Sequence, residues 1–362
     1  MALHLKMKWL LGVLPLAALT LSAALSPPST PGSVMLQSRQ LAVAPPAQSH
    51  PHPTGMFHGW FVNGTTGWMV TVDHGRHILS RTDNGGNSFV RQLDIGPTRL
   101  SQRDISFVDE NTGFLGLPVL GSADITAFAM LATTDGGTSW ARRSVPRQGA
   151  LGGLDFITKY EGWILEVSPT LKEIVSHTAD GGSSWTTCSQ VGLESGDHLE
   201  GIRFTDPLHG WISGWSNNSG LPVYYETGDG CSSWSRRVVD PGWNAVQHRV
   251  LVVDPPVVGA GGDIVGILSS VVGSDRKRMD LYSRSSSGST WSFTASSEAM
   301  TVPALTTTGI VVSYAGRTLY ASDFVDSRIG FAESVPSDSS RRVLLTTHDA
   351  GLTWSVASFL DS

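Results

Sequence analysis

TTDGGTSW, residues Thr133 to Trp140, decides the fold, because versions of the same octapeptide recur in phase from one end of the chain to the other. TADGGSSW (Thr178 to Trp185), TGDGCSSW (Thr227 to Trp234) and THDAGLTW (Thr347 to Trp354) are close copies. Two are worn: TDNGGNSF (Thr82 to Phe89) has Asn84 and Phe89, and RSSSGSTW (Arg284 to Trp291) keeps Gly288, Thr290 and Trp291. Each position of Thr-x-Asp-x-Gly-x-Ser/Thr-Trp has a physical job in a tight β-turn. The Asp carboxylate accepts backbone N–H groups, and the Gly takes positive φ without a Cβ clash. The hydroxyls add local hydrogen bonds, and the Trp opens the next strand and buries a large ring.

A second marker runs ahead of the first. FVNGTTGW (Phe61 to Trp68), FVDENTGF (Phe107 to Phe114), FITKYEGW (Phe156 to Trp163), FTDPLHGW (Phe204 to Trp211) and FVDSRIGF (Phe324 to Phe331) share Phe at one end and Gly-aromatic at the other. The fifth unit has only VVDPPVVG near Val252, so it is degenerate in both markers. A unit therefore reads as strand a ending in Phe, a turn, strand b opening at Gly-aromatic, a variable loop, strand c ending at Thr, the Asp turn, and strand d opening at Trp. One four-stranded antiparallel sheet per roughly 50 residues is the period of a β-propeller blade. The expected architecture is all-β: a single propeller of six blades, with a seventh left open by the longer interval holding GIVVSYAGRTLYAS, Gly309 to Ser322.

These octapeptides match the Asp-box, or bacterial neuraminidase repeat, across about residues 56 to 360. The paired layout, FxDxxxGW and then the Asp-box, most resembles the family of the photosystem II stability and assembly factor, and more distantly the sialidases. The resemblance implies an exported propeller that binds rather than catalyses; it does not by itself imply a photosynthetic role. Asp135, Asp180, Asp229 and Asp349, with Trp140, Trp185, Trp234, Trp291 and Trp354, are then turn and packing residues, because repeated copies would make many sites where an enzyme needs one.

Composition narrows the function without naming it. A formal charge of −6 lends no support to nucleic-acid binding, which needs a concentrated basic face. Lys6 and Lys8 precede an apolar run to Leu25, which reads as a signal peptide over 1–25 or, uncleaved, an N-terminal membrane anchor. Residues 26–55 read as a Pro-rich linker and 56–362 as the propeller, in an extracytoplasmic chain expected to be a monomer. Cys188 and Cys231 lie in neighbouring units and are either a disulfide or two separate thiols.

The markers hold the a–b and c–d turns on one face, so function is expected from the b–c and d–a loops on the other. Two groups are candidates there. Ser106, Asp155, Arg203 and Asp323 each precede a strand-a Phe, and with Asp104 they are expected to ring the mouth of the central channel, binding a ligand or pairing among themselves. Arg276, Lys277 and Arg278 are expected in the b–c loop of the fifth blade, beside Arg341 and Arg342 of the sixth, where guanidinium groups suit carboxylate or phosphate. The resembled assembly factors also carry an arginine-rich surface patch. Arg142, Arg143, Arg236 and Arg237 follow box Trp residues and read as exposed charge.

A sialidase would need three arginines, a Tyr nucleophile assisted by Glu, and an acid/base Asp. Tyr282 and Tyr320 are the available nucleophiles, but the Arg-Ile-Pro that normally precedes the first Asp-box is absent. No zinc spacing, P-loop or GxSxG is present, and no cofactor or metal is expected. The sequence points to a non-catalytic propeller that binds a protein or peptide through its loop face, with a glycan-active or glycan-binding propeller as the alternative.

Overall fold

The computed structural model describes residues 59–97, 104–120, 125–146, 150–167, 173–188, 191–192, 194–240, 248–258, 264–272, 276–285, 288, 290–296, 317–325, 328–336, 343–348 and 355–360. The apolar N-terminal run and the Pro-rich stretch lie outside them. Among the described residues no helix is long and apolar enough to cross a membrane.

Among the described residues all regular structure is strand, arranged as six four-stranded antiparallel sheets, each built from consecutive strands. The first holds β1 (Gly59–Phe61), β2 (Gly67–Asp73), β3 (Arg76–Thr82) and β4 (Val90–Gly96); the second, β5 (Ile105–Phe107), β6 (Gly113–Leu120), β7 (Ile125–Thr133) and β8 (Ala141–Arg143). The third holds β9 (Ala150–Phe156), β10 (Gly162–Val167), β11 (Glu173–Thr178) and β12 (Thr186–Thr187); the fourth, β13 (Asp197–Phe204), β14 (Gly210–Ser216), β15 (Pro222–Thr227) and β16 (Ser235–Val238). The fifth holds β17 (His248–Val258), β18 (Ile264–Val272), β19 (Arg276–Arg284) and β20 (Ser292–Ser296); the last, β21 (Arg317–Phe324), β22 (Gly330–Pro336), β23 (Val343–Thr347) and β24 (Ser355–Phe359). This is a β-propeller of four-stranded blades. Of the stretch set aside for an extra hairpin, Arg317 to Ser322 belongs to β21, and Gly309 to Ala315 with Gly316 lies outside the described residues.

The second marker is a packing device between blades. Phe61, Phe107, Phe156 and Phe204 pair directly with Gly67, Gly113, Gly162 and Gly210 of the next strand. Each ring lies flat over its glycine, so a Cβ there would fall 2.2–2.5 Å from the ring carbons. The other side of the ring takes the Gly-aromatic residue of the preceding blade. Trp68 stacks on Phe107 at 3.4 Å, Phe114 on Phe156 at 3.5 Å and Trp163 on Phe204 at 3.8 Å between centroids. Phe331 of the last blade stacks on Phe61 of the first at 3.5 Å, which closes the ring. The box Trp then meets the same Phe edge-on: Phe107–Trp140, Phe156–Trp185 and Phe204–Trp234 lie 6.1–6.3 Å apart at 80–83°. Such ring pairs add about 0.5–1.5 kcal/mol each beyond their buried area.

The Asp-box geometry repeats closely. In the second blade the Thr133 hydroxyl donates to Asp135 Oδ1 (2.8 Å) and accepts the Gly137 N–H (2.8 Å), while Ser139 donates its N–H to Oδ1 (2.8 Å) and its hydroxyl to Oδ2 (2.6 Å). Asp180 and Asp229 do the same with Ser184 and Ser233. Asn84 keeps the pattern with one donor reversed, its Nδ2 donating to the Ser88 hydroxyl at 2.8 Å. The second Gly of the box sits at φ 92° in Gly137 and 80° in Gly182, as the turn demands.

Blade five departs from both markers, and the structure supplies the substitutes. The position that holds Phe in other blades is Val258, paired with Ile264 where they have Gly, and Val253, farther up the strand, is buried with Trp211. Arg284 occupies the box Thr position, where its buried guanidinium donates to the Gly288 carbonyl (2.6 Å), pairs with Glu226 of blade four and lies over the Trp291 ring at 5.2 Å. A cation thus replaces the carboxylate as the organiser of that turn.

Cys188 and Cys231 form a disulfide, with Cα atoms 5.6 Å apart, tying the outer strand of blade three to the Asp-box of blade four. Cys231 fills the second Gly position and has φ 70°, a conformation costly for a residue with a Cβ.

Two measurements follow from these turns. Hydrogen bonds from Ser184 and Thr178 hold Asp180 down to about 2. Burial opposes the charge on Asp135, but its Ser139 and Thr133 bonds outweigh that, and Asp229 is lowered by Ser233 first. A depressed folded pKa contributes stability above the unfolded value near 4 and loses it as pH falls through the folded value. The triple variant Asp135→Asn, Asp180→Asn, Asp229→Asn, imitating Asn84, is therefore expected to fold at pH 7 and to lose less stability than the parent between pH 4.5 and 2.5 in urea titrations; parallel acid profiles would refute the assignment.

For the disulfide, the sequence separation of 43 corresponds to roughly 4 kcal/mol of loop entropy. Both Cys188→Ser and Cys231→Gly forgo that, but Cys231→Gly also relieves the left-handed backbone, so it is expected to be the more stable of the two by about 1 kcal/mol. Equal denaturation midpoints would show that Cys231 carries no backbone strain.

Candidate functional site

The a–b and c–d turns share one face of the propeller, and the b–c and d–a connections share the other. Marker-face backbone is spoken for: the first box Gly donates its N–H to the a–b turn of its own blade, Gly85 to Thr65 O, Gly136 to Asn111 O, Gly181 to Tyr160 O and Gly230 to Leu208 O at 2.8–3.0 Å. That face is scaffold.

The residues expected around a channel mouth fall at the marker-face ends of the inner strands, because each precedes the last residue of strand a. They tie blades together. Ser106 Oγ accepts the Phe156 N–H (3.0 Å), and Asp155 Oδ2 accepts the Phe204 N–H (2.6 Å). Trp60, at the same position of blade one, donates its indole N–H to the Phe107 carbonyl (2.9 Å). Asp155 is buried, and burial raises its pKa to about 6 against the opposing Arg203 charge and Phe204 N–H. Arg203 is half-buried beside it, and Asp104 is buried one residue ahead of β5. Asp323 precedes the last residue of β21. The reading of these groups as a loop-face constellation is corrected by this placement.

On the loop face, the best-described part is the seam between blades three and four. The linker from Cys188 crosses that seam to Asp197 at the start of β13, with Val191 buried among Trp163, Leu199 and Tyr225. Asp197, its side chain fully buried, accepts Arg236 Nε (2.6 Å) and Nη2 (3.0 Å) and the Tyr225 hydroxyl (2.7 Å). The Tyr225 oxygen in turn accepts the Glu194 N–H (3.1 Å), and the exposed Glu194 carboxylate lies 3.5 Å from Arg236. Burial opposes the Asp197 charge, but Arg236 and Tyr225 outweigh it and hold its pKa low; burial raises Tyr225 to about 12. Glu173, opening β11, is buried at 6% exposure. Its Oε2 has no hydrogen-bond partner among the described residues, and burial raises its pKa.

None of this seam cluster is legible in the sequence as a site, because its members come from four separate strands and a linker. Arg236 was expected to be exposed; it is instead committed to a buried carboxylate. Arg237 keeps part of its exposure and meets Glu226 at 3.4 Å, whereas Arg142 is exposed as expected. Arg276, Lys277 and Arg278 begin β19 rather than lying in the preceding loop, paired with Val272, Val271 and Ser270. Arg341, Arg342, Asp349 and Trp354 lie outside the described residues. Tyr282 is buried with Trp211 and Trp291 in the core between blades four and five, which removes it as a nucleophile; Tyr320 is in β21. Among the described residues no cluster of His, Cys, Asp or Glu is arranged to hold a metal.

Residues 87–195 match the family model described as photosynthesis system II assembly factor YCF48, a span that includes blades two and three whole. Among solved structures, a protein of unknown function from Dyadobacter fermentans shares the fold at a TM-score of 0.52 with 9% identity, covering 88% of this chain and 99% of that one. YCF48 bound to a D1 peptide aligns at a TM-score of 0.48 and 16% identity over 86% of each chain, and the microbial sialidase Hz136 at 0.46 and 11% over 82% of this chain and 64% of that one. No curated protein matches the sequence. The chain thus resembles the Asp-box propellers, and within them the assembly-factor family over the matched span.

The Asp155 lock carries its own pH signature. Its folded pKa is raised above the unfolded value, so its contribution is fully present below about pH 4 and is lost as pH rises through about 6, at most about 3 kcal/mol. Asp155→Asn is expected to remove that slope between pH 4.5 and 7.5 in urea denaturation relative to the parent; an unchanged slope would mean that Asp155 is not the titrating group.

Proposed function

We propose that this chain is an exported, non-catalytic six-bladed propeller that binds a protein or peptide through its loop face, in the manner of an assembly or stability factor. The observation that carries this reading is the assembly-factor family match over residues 87–195, which falls on whole blades rather than on the Asp-box alone. The marker face supports it from the other side: Asp135, Asp180, Asp229 and Asp155 are all engaged in turns and blade contacts. Export is supported by the N-terminal apolar run and by the Cys188–Cys231 disulfide, a bond that persists in oxidising compartments. The N-terminal segment serves as a cleaved signal or as an anchor.

The basic group belongs to the same reading. Arg276 opens β19 beside the b–c connection, the loop-face end of that strand, and Arg341 and Arg342 precede β23. Guanidinium groups from these two stretches, if they come together, would take acidic side chains of a partner.

Cross-linking and capture with the full-length tagged chain in its own cells, combined with protease accessibility of the tag in cells whose outer layers are opened, tests the proposal. The expected result is an extracytoplasmic tag and a defined partner lost when Arg276, Arg278, Arg341 and Arg342 are changed to Ala. Retention of the same partner would sink the basic patch, and a cytoplasmic tag would sink export.

A further inference from the structure

Two seams of the propeller share one packing contact, and a third makes it covalently. The second glycine of the Asp-box looks across at the preceding blade. A Cβ built on Gly86 would lie 3.6 Å from Ala357 Cβ and 2.3 Å from Leu344 Cδ2, and one on Gly182 would lie 3.6 Å from Arg143 Cβ and 2.1 Å from Met130 Cε. Ala357 and Arg143 each stand three residues after a box Trp, and Leu344 and Met130 three residues before a box Thr. Between blades three and four the same positions hold Cys231, Cys188 and Val175. A disulfide requires Cβ atoms about 3.5–4.5 Å apart, which this contact supplies, and Val175 is shorter than Leu or Met and leaves room for the sulfurs. The Cys188–Cys231 bond is therefore a covalent version of a contact that the other two seams make by packing.

Little else holds that rim. β12 pairs only Thr186 and Thr187 with β11, whereas the outer strands of the other blades run from three residues in β8 to seven in β4. Cys188 adds one N–H bond to the Val175 carbonyl at 2.8 Å. Cys231 is buried, and Cys188 partly buried, in the cluster of Val175, Val191, Trp163 and Tyr225. Once the bond is cut, the two sulfurs need van der Waals separation inside a cluster that is already packed, and Cys231 keeps a left-handed backbone at φ 70° that no longer serves a cross-link. The Trp163–Phe204 stack stays in place to hold the two blades together.

We propose that Cys188–Cys231 is a redox-sensitive latch: a dithiol reductant opens the rim of the blade three–four seam locally and leaves the propeller folded. One thiolate of the dithiol attacks Sγ of Cys188, the less buried cysteine, forming a mixed disulfide as the Cys188–Cys231 bond breaks and Cys231 leaves as a thiolate that takes up a proton. The second thiolate attacks the reductant's sulfur in that mixed disulfide, releases Cys188 to take up a proton and closes the reductant's own disulfide. Two electrons and two protons thus pass from the dithiol to the protein. Glu194, whose N–H bonds the Tyr225 hydroxyl, follows Cys188 on the same linker, so the opening extends toward the loop face. The chain has 2 cysteines, so no other seam carries such a latch.

The test is amide hydrogen exchange of the full chain, oxidised and after reduction with dithiothreitol under folding conditions, with the released thiols titrated. Both cysteines are expected to titrate, and exchange at Thr187, Cys188 and Glu194 to speed by about tenfold or more. Gly85 and Gly137, bonded in the turns of blades one and two, are expected to change by less than about twofold, and reoxidation to restore the slow rates. The triple variant Cys188→Ala, Cys231→Gly, Val175→Leu copies the contact of Ala357, Gly86 and Leu344. It is expected to exchange slowly at Thr187 and Glu194 with or without dithiothreitol. Acceleration of all these amides together on reduction would make the bond a global staple and overturn the latch. So would unchanged exchange at Thr187 and Glu194 in the reduced chain, or a disulfide that dithiothreitol cuts only after the chain is unfolded. Fast exchange of Thr187 and Glu194 in a folded triple variant would overturn the equivalence of bond and packing contact.

Discussion

The packing of blades one to four leans on one phenylalanine in each, at the end of the inner strand. Its ring is held between the glycine paired with it in its own sheet and the aromatic residue opening strand b of the preceding blade, and the box Trp presses on its edge. Phe107 shows the complete set, with Gly113 below, Trp68 above at 3.4 Å and Trp140 at its edge at 6.1 Å. No blade can bury its own Phe on both sides, so a blade is stable only with its neighbour. The Phe331–Phe61 stack applies the same rule between the last blade and the first and removes the free ends of the array.

The Asp-box is subordinate to that arrangement. Its hydrogen bonds fix a turn whose purpose is to deliver the Trp to the Phe edge, and the turn tolerates exchange of the charged group. Asn84 keeps the bonds without charge, and Arg284 rebuilds the turn with the opposite sign by donating to the Gly288 carbonyl. Blade-to-blade polar contacts vary as freely. Trp60, Ser106 and Asp155 occupy one structural position and connect neighbouring strands as an indole donor, a hydroxyl acceptor and a carboxylate acceptor. Only the last carries a charge, and only that seam is expected to respond to pH near 6.

Repeats made the fold legible. The strand boundaries, the four-stranded sheets and the scaffold role of Asp135, Asp180 and Asp229 follow from short local patterns, and the structure reproduces them. What escaped was non-local. The glycine of Gly-aromatic reads from sequence as a strand opening; its need for a Phe ring 2.2–2.5 Å from a hypothetical Cβ exists only in the folded sheet. Asp155 lies at the marker-face end of its strand rather than on the loop face, because strand a ends one residue later at Phe156. The Glu173–Asp197–Arg236 seam had no sequence signal, because a buried carboxylate on a strand looks like any solvent-facing acid until burial is known. The disulfide was one of two open readings, since spacing does not give the Cα separation.

The glycine beneath the phenylalanine ring is the residue on which this coupling most directly depends. Guanidinium chloride unfolding of Gly113→Ala, followed by Trp fluorescence and far-UV circular dichroism and compared with Gly192→Ala, where a Cβ meets nothing within 4 Å, isolates it. The expected result is a loss of roughly 2 kcal/mol or more for Gly113→Ala in one transition common to both probes, with Gly192→Ala close to the parent. Equal stability of the two variants, or a separate early transition leaving most of the sheet signal intact, would contradict the claim that the sandwiched phenylalanine couples each blade to the next.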